Sequence, residues 1–140
     1  MNHSIFEQGL PKTQANFVPL SPLTFIERSA AIYPDYPAVV YGDTRHTWSE
    51  TWSRCRRLAS ALEQRGIKPG ETVAAMLPNV PAMFEAHFGV PLAGCVLNTL
   101  NIRLDVDVIT YMLEHGEARA ILVDPEFSSV VEEAVSRLAI

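Results

Sequence analysis

The sequence has 140 residues, of which 48% are hydrophobic and 19% charged, the composition of about one globular domain. Its formal net charge of -5 argues against a nucleic-acid surface, which needs a clustered basic stripe. No run approaches the ~18 apolar residues of a membrane span, and Met1–Leu20 lacks the apolar core of a signal peptide.

Residues 1–20 have no period and carry Pro11 and Pro19, so an extended lead segment on the surface is expected. Ser21 is placed to cap a helix, with Pro22 at the first helical position, where its missing N–H costs nothing. Leu23, Ile26, Ala30 and Tyr33 fall at helical spacing and predict one buried stripe. Tyr33-Pro34 ends the helix, because the residue before a proline is pushed out of the helical region. Ala38–Tyr41 and Arg45–Trp48 then flank Gly42-Asp43, a two-residue hairpin signal. The second arm runs straight into a long helix. Thr47 can cap it while Glu50, three residues on, reaches back to the Thr47 N–H. Trp48, Trp52, Cys55, Ala59 and Leu62 mark the apolar face of that helix. The basic cluster Arg54, Arg56 and Arg57 is expected on its wet side, and Gly66 supplies the left-handed turn that closes it.

Three short apolar runs follow, Thr72–Leu77, Cys95–Asn98 and Arg119–Val123, separated by segments long enough to cross over a sheet. Strands alternating with helical patterns pair in parallel, and the crossover rule makes this a right-handed βαβαβ unit, half of a doubly wound sheet. The first connection, Pro81–Ala93, is apolar nearly all round, with only Glu85 and His87 polar. A helix of that kind is buried on most sides, and His87 is expected to be a satisfied core histidine. Pro91 removes the hydrogen bond to the His87 carbonyl, while Gly89 and Gly94 suggest close approach to another backbone. Asp105 caps the second connecting helix, Leu104 and Ile109 have the spacing of a hydrophobic staple, and Gly116 closes it. Asp124-Pro125 starts a further helix with Phe127, Val130, Val131, Ala134 and Leu138 on its apolar side. The chain stops at Ile140 without cap, glycine or polar tail, which reads as a cut. The predicted fold class is α/β: a parallel βαβαβ unit preceded by a helix, a β-hairpin and a long helix, the opening part of a larger doubly wound domain. An apolar helix and an unpaired sheet edge favour association, a homodimer being one form of it.

Most chemical motifs are missing. No G-x-G-x-x-G follows a strand, and no G-x-S-x-G elbow occurs. Gly89 and Gly94 have the outer spacing of a P-loop, but Cys95-Val96 stands where Lys-Ser/Thr is required. His46, His87 and His115 lie on separate elements without metal spacing, and His115 is most simply a cation at a helix end. Cys55 and Cys95 sit in apolar settings without a CxxC, so reduced thiols in a cytoplasmic protein are expected. One positive remains, Asn98-Thr99-Leu100-Asn101-Ile102-Arg103, which gathers amides, a hydroxyl and a guanidinium at the carboxyl end of a parallel strand. Open α/β sheets bind ligands at that edge, and the arginine fork suits phosphate. The plainer reading is that Arg103 pairs with Asp105 or Asp107 and Asn101 only shapes the turn.

Several stretches resemble the AMP-forming acyl-CoA synthetases of the adenylate-forming ligase family. They are Val39-Val40-Tyr41-Gly42-Asp43 with Thr47-Trp48, Gly66-Ile67-Lys68-Pro69-Gly70-Glu71-Thr72-Val73-Ala74, and Leu77-Pro78-Asn79. Most specific is Gly94-Cys95-Val96-Leu97-Asn98-Thr99-Leu100-Asn101-Ile102-Arg103-Leu104, leading into Tyr111-Met112-Leu113-Glu114-His115-Gly116-Glu117-Ala118. The likeness runs from about Leu10 to Asp124 in one order. Leu10-Pro11-Lys12 and Pro19-Leu20-Ser21-Pro22-Leu23 resemble the branch acting on short- to medium-chain or related acids. The resemblance implies a ligase that uses ATP, CoA and Mg2+, with a small carboxylic acid as substrate and an acyl-adenylate as intermediate. It implies that residues 21–140 are a truncated N-terminal part of the large adenylate-forming domain. The family's Ser/Thr/Gly-rich phosphate loop and catalytic lysine domain have no counterpart here, so no catalytic residue is expected and the chain alone should be inactive. Arg103 matches a position where related ligases place an arginine near the CoA nucleotide, which makes it a candidate CoA phosphate contact, with Asn101 and Thr99 beside it. The alternatives are a small flavodoxin-like module that binds a nucleotide or a protein at Thr99–Arg103, and a truncated pseudo-ligase serving as an interaction domain.

Overall fold

The computed structural model describes residues 9 and 11–138. The first eight residues of the expected lead, Leu10 and the last two residues lie outside the described part. From Pro11 to Leu20 no helix or strand forms. A single turn interrupts the extended path, with the Thr13 N–H donating to Asn16 Oδ1 at 2.8 Å.

Helix α1 spans Pro22–Ile32, and Ser21 caps it as its sequence requires, Oγ accepting from the Leu23 N–H at 3.2 Å. Only part of the expected stripe is inside. Ile26 is 1% exposed, but Tyr33 is 53% exposed. The reason is that Tyr33 sits past the last helical residue, with φ of -126°, and so leaves the helical period. Strands β1 (Pro37–Tyr41) and β2 (Thr44–Thr47) form the hairpin, turning at Gly42-Asp43 with Gly42 at φ +54°.

Helix α2 (Trp48–Gln64) opens with the full capping box. Thr47 Oγ1 accepts from the Glu50 N–H at 3.2 Å, and Glu50 Oε2 accepts from the Thr47 N–H at 2.8 Å. That backbone N–H also draws the Glu50 carboxyl below its ordinary pKa. Cys55, Ala59 and Leu62 are buried, while Trp48 and Trp52 are half-buried. Thr51 is fully buried as well, its hydroxyl donating to the Thr47 carbonyl at 2.7 Å. Apolar periodicity passes over it because threonine reads as polar.

The remaining elements are β3 (Thr72–Met76), α3 (Pro81–Leu92), β4 (Val96–Thr99), α4 (Val106–His115), β5 (Ala118–Val123), a 3-10 turn at Pro125–Phe127 and α5 (Ser128–Ser136). All three expected strands form within a residue of their predicted ends. They pair in parallel in the order β4-β3-β5, so the first strand of the unit is the central one. Its residues Val73, Ala74, Ala75 and Met76 are each 0% exposed, because both faces are covered. Val73, Ala75 and Leu77 meet Leu62 of α2 with Ala86 and Val90 of α3. Ala74 and Met76 meet Ile109 and Leu113 of α4 with Val131 and Ala134 of α5. Asp105 caps α4 through the Val108 N–H at 3.0 Å. Asp124 caps the 3-10 turn, not α5 itself, through the Glu126 N–H at 3.1 Å. Among the described residues β4 and β5 each keep one edge unpaired. No helix of the described residues is long and apolar enough to cross a membrane.

Helices α2 and α3 approach closely at Gly89. A Cβ built there would stand 2.7 Å from Leu58 Cδ2 and 3.0 Å from the Cys55 carbonyl oxygen. The leucine tip can move, but the α2 backbone cannot. Gly89→Ala should therefore destabilise the fold by about 1–3 kcal/mol of overpacking, less the ~1 kcal/mol that alanine gains in a helix. Denaturant unfolding of the single variant checks this, and unchanged or higher stability would mean the two helices can separate freely.

Candidate functional site

The connections after β3 and β4 leave toward opposite faces of the sheet, so the chain opens a crevice where these neighbouring strands end. Ligands bind at such points in open α/β sheets. The crevice is a cavity of about 620 Å3. Leu77, Pro78 and Asn79 line it from β3, Thr99–Arg103 line it from β4, and Met83 with His87 close it from α3.

Local hydrogen bonds set the β4 side. The Leu100 N–H donates to the Ala75 carbonyl at 2.8 Å, carrying the pairing one residue past the strand and burying Leu100. Thr99 and Asn101 on either side are exposed. Asn101 Oδ1 then accepts from the Arg103 N–H at 2.9 Å, an Asx turn that places Arg103 just before the α4 cap. Asn101 thus shapes the turn, as the plainer sequence reading expected. The other half of that reading fails. Asp105 is engaged by the Val108 N–H, and Asp107 pairs with Arg137 Nη1 at 2.6 Å. Arg103 is exposed and forms no ion pair among the described residues. Its guanidinium remains free to meet an anion.

His87 corrects a second expectation. It is exposed, not a core histidine, because the inward face of α3 consists of Glu85, Ala86, Gly89 and Val90. Its Nδ1 lies 2.8 Å from the Met83 carbonyl. Beyond it the crevice adjoins an apolar trough of about 480 Å3 between the hairpin and α3, lined by Val40, Tyr41, Phe84 and Phe88 among others. The two cavities share Asn79, Met83 and His87. Helix α3 is thus less enclosed than its composition suggests.

Arg54 corrects a third. It leaves the wet side of α2 and gives its Nε–H to Oε1 of Glu85, which is 7% exposed. The hydrogen bond to Glu85 holds the Arg54 guanidinium above its ordinary pKa. Burial and then the Glu85 charge push the Cys55 thiol up to about 11. His46 Nδ1 lies 3.9 Å from the same carboxylate oxygen and has no hydrogen-bond partner. The Arg54–Glu85 pair ties α2 to α3, with His46 of the hairpin beside it. A carboxylate inside an otherwise apolar helix was the one sequence sign that a partner had to exist. Cys55 and Cys95 are both free and buried, as expected, and a buried thiol of raised pKa is a poor nucleophile.

The crevice therefore offers one fixed turn, several neutral polar groups and a free cation. Among the described residues no three His, Cys, Asp or Glu side chains stand close enough to hold a metal ion. A guanidinium placed in this way is chemically suited to an anion.

The family model described as AMP-binding enzyme matches residues 26–139. An acetate–CoA ligase from Humulus lupulus is 49% identical over 130 residues, covering 93% of this chain and 23% of that protein. A peroxisomal acetate/butyrate–CoA ligase from Arabidopsis thaliana is 48% identical over 126 residues, covering 90% of this chain and 22% of that protein. The crystal structure of a benzoate–CoA ligase from Burkholderia xenovorans superposes with a TM-score of 0.80 at 27% identity, covering 83% of this chain and 24% of that one. The chain spans less than a quarter of the length of these relatives. The matched span takes in most of the chain, and the chain belongs to the AMP-binding enzyme family.

Proposed function

We propose that the chain is the N-terminal part of an ATP-dependent ligase that joins a carboxylic acid to CoA through an acyl-adenylate, and that its own share is a hold on CoA. Residues 21–140 are, on this reading, the opening of the large adenylate-forming domain. The observation that carries the reading is the Arg103 guanidinium, unpaired among the described residues, at the crevice between β3 and β4. Arginine presents a fixed fork of donors to phosphate oxygens, and among the described residues Arg103 forms no ion pair with a carboxylate. Thr99 and Asn101 add a hydroxyl and an amide on the same rim. The acid is a short- or medium-chain or related one, in keeping with relatives named for acetate, butyrate and benzoate. ATP and Mg2+ act on residues beyond this stretch, since no phosphate loop occurs in it. The edges of β4 and β5, open among the described residues, and the apolar trough favour association, a homodimer included. The two buried free thiols suit a reducing compartment such as the cytoplasm.

The test is a chimera in which this chain replaces the matching segment of the Humulus lupulus ligase. Acid-dependent ATP–pyrophosphate exchange and thioester formation should both persist. A soluble chimera with a cooperative melt and neither activity overturns the reading in favour of a free-standing binding module. The chain alone should give no exchange above blank, because nothing in it stabilises the departing pyrophosphate. Acid-dependent exchange by purified Met1–Ile140 contradicts that expectation.

A further inference from the structure

The most informative group outside this reading is His87, which faces both cavities but has no assigned task. A carbonyl oxygen only accepts, so the 2.8 Å contact with the Met83 carbonyl requires the proton of the neutral imidazole to sit on Nδ1. Nε2 then carries a lone pair, and no protein group meets it among the described residues. The tautomer is held by the helix itself, since donor and acceptor lie four residues apart on α3. The crevice thus contains a fixed acceptor at its α3 wall and a free cation, Arg103, at its β4 wall. The same cavity is also lined by the apolar residues Pro78, Met83 and Ile102. A flat ring with an amine on its edge and a phosphate elsewhere on the same ligand would use that set of groups. That is the chemistry of an adenine nucleotide.

Resting on the reading of the crevice as a CoA site, we propose that His87 is a binding and specificity residue: its Nε2 accepts a hydrogen bond from the adenine amine of the nucleotide whose phosphate meets Arg103. Adenine occurs in both CoA and ATP, so the phosphate positions distinguish the two sources. CoA carries a 3′-phosphate and ATP does not.

The experiment titrates the chain Met1–Ile140 with adenosine 3′,5′-bisphosphate, and separately with ATP, while following backbone amide shifts. Saturable shifts at Asn79, His87 and Thr99–Arg103 are expected with the bisphosphate. His87→Leu should weaken it about fivefold, the size of one neutral hydrogen bond, while His87→Gln, which keeps an acceptor, should stay within about twofold. Purine riboside 3′,5′-bisphosphate, which lacks the amine, should bind the wild type as weakly as the parent ligand binds His87→Leu, and should not distinguish the two proteins. Loss of binding in Arg103→Glu with no change in His87→Leu overturns the role of His87 and leaves the CoA reading standing. Tighter binding of ATP at the same residues overturns the CoA reading and keeps His87 as the adenine contact. No saturable response to either nucleotide overturns both.

Discussion

Arg54→Met is expected to destabilise the protein by about 2–3 kcal/mol, lowering Tm by roughly 6–12 °C. Glu85 is 7% exposed and accepts the Arg54 Nε–H, so removing the guanidinium leaves a carboxylate in an apolar layer without its counter-charge. A fully buried pair broken in this way loses about 3–5 kcal/mol. The lower figure applies because the Arg54 side chain is 39% exposed, and water can reach the gap. His46 Nδ1, at 3.9 Å, is too far away to replace the lost donor without moving. Adding Glu85→Met should restore much of the loss, since two apolar side chains of similar length remove the stranded charge together with its partner. The double variant is then more stable than Arg54→Met alone. Denaturant unfolding of both single variants and the double completes the cycle. Additive losses would show that the ion pair carries no coupling and that each residue matters only for its packing.

Arg103→Glu, placed in the chimera with the Humulus lupulus ligase, is expected to weaken CoA by about one to two powers of ten. The loss of a charged contact to phosphate at a partly solvated rim is worth on the order of 1–3 kcal/mol. The penalty falls on the thiol-transfer half-reaction as a raised KM for CoA. Adenylation measured by pyrophosphate release without CoA should change little. The melting temperature should also hold, because Arg103 pairs with neither Asp105 nor Asp107 and its turn is fixed by its backbone N–H on Asn101. Equal losses in both half-reactions with a lower melting temperature would return Arg103 to a role in the scaffold.

Elements whose signals are local were legible in the sequence. Ser21, Thr47 with Glu50, and Asp105 act as caps because a helix N-terminus exposes N–H groups that the nearest side-chain oxygen can satisfy. Gly42-Asp43 turns the hairpin because its backbone geometry needs a residue free to take positive φ. The three apolar runs became strands because crossovers of this length return them in parallel, and the place of Thr99–Arg103 at the carboxyl edge of the sheet followed from that direction alone.

The sequence by itself thus determined the elements, the parallel sheet, the family resemblance and the rim residues Thr99, Asn101 and Arg103. Tertiary structure alone decided three things. The strand order β4-β3-β5 put the Asn79 loop beside the Arg103 loop, residues more than twenty positions apart in the chain. Gly89 drew α3 onto α2, and with that contact the inward face of α3 was chosen. Glu85 then turned inward to Arg54, 31 residues away, and His87 turned outward into the crevice. A helix that is apolar nearly all round carries no periodic signal of which side faces in. Only the neighbour it packs against can choose, and here that choice separated the buried ion pair from the crevice.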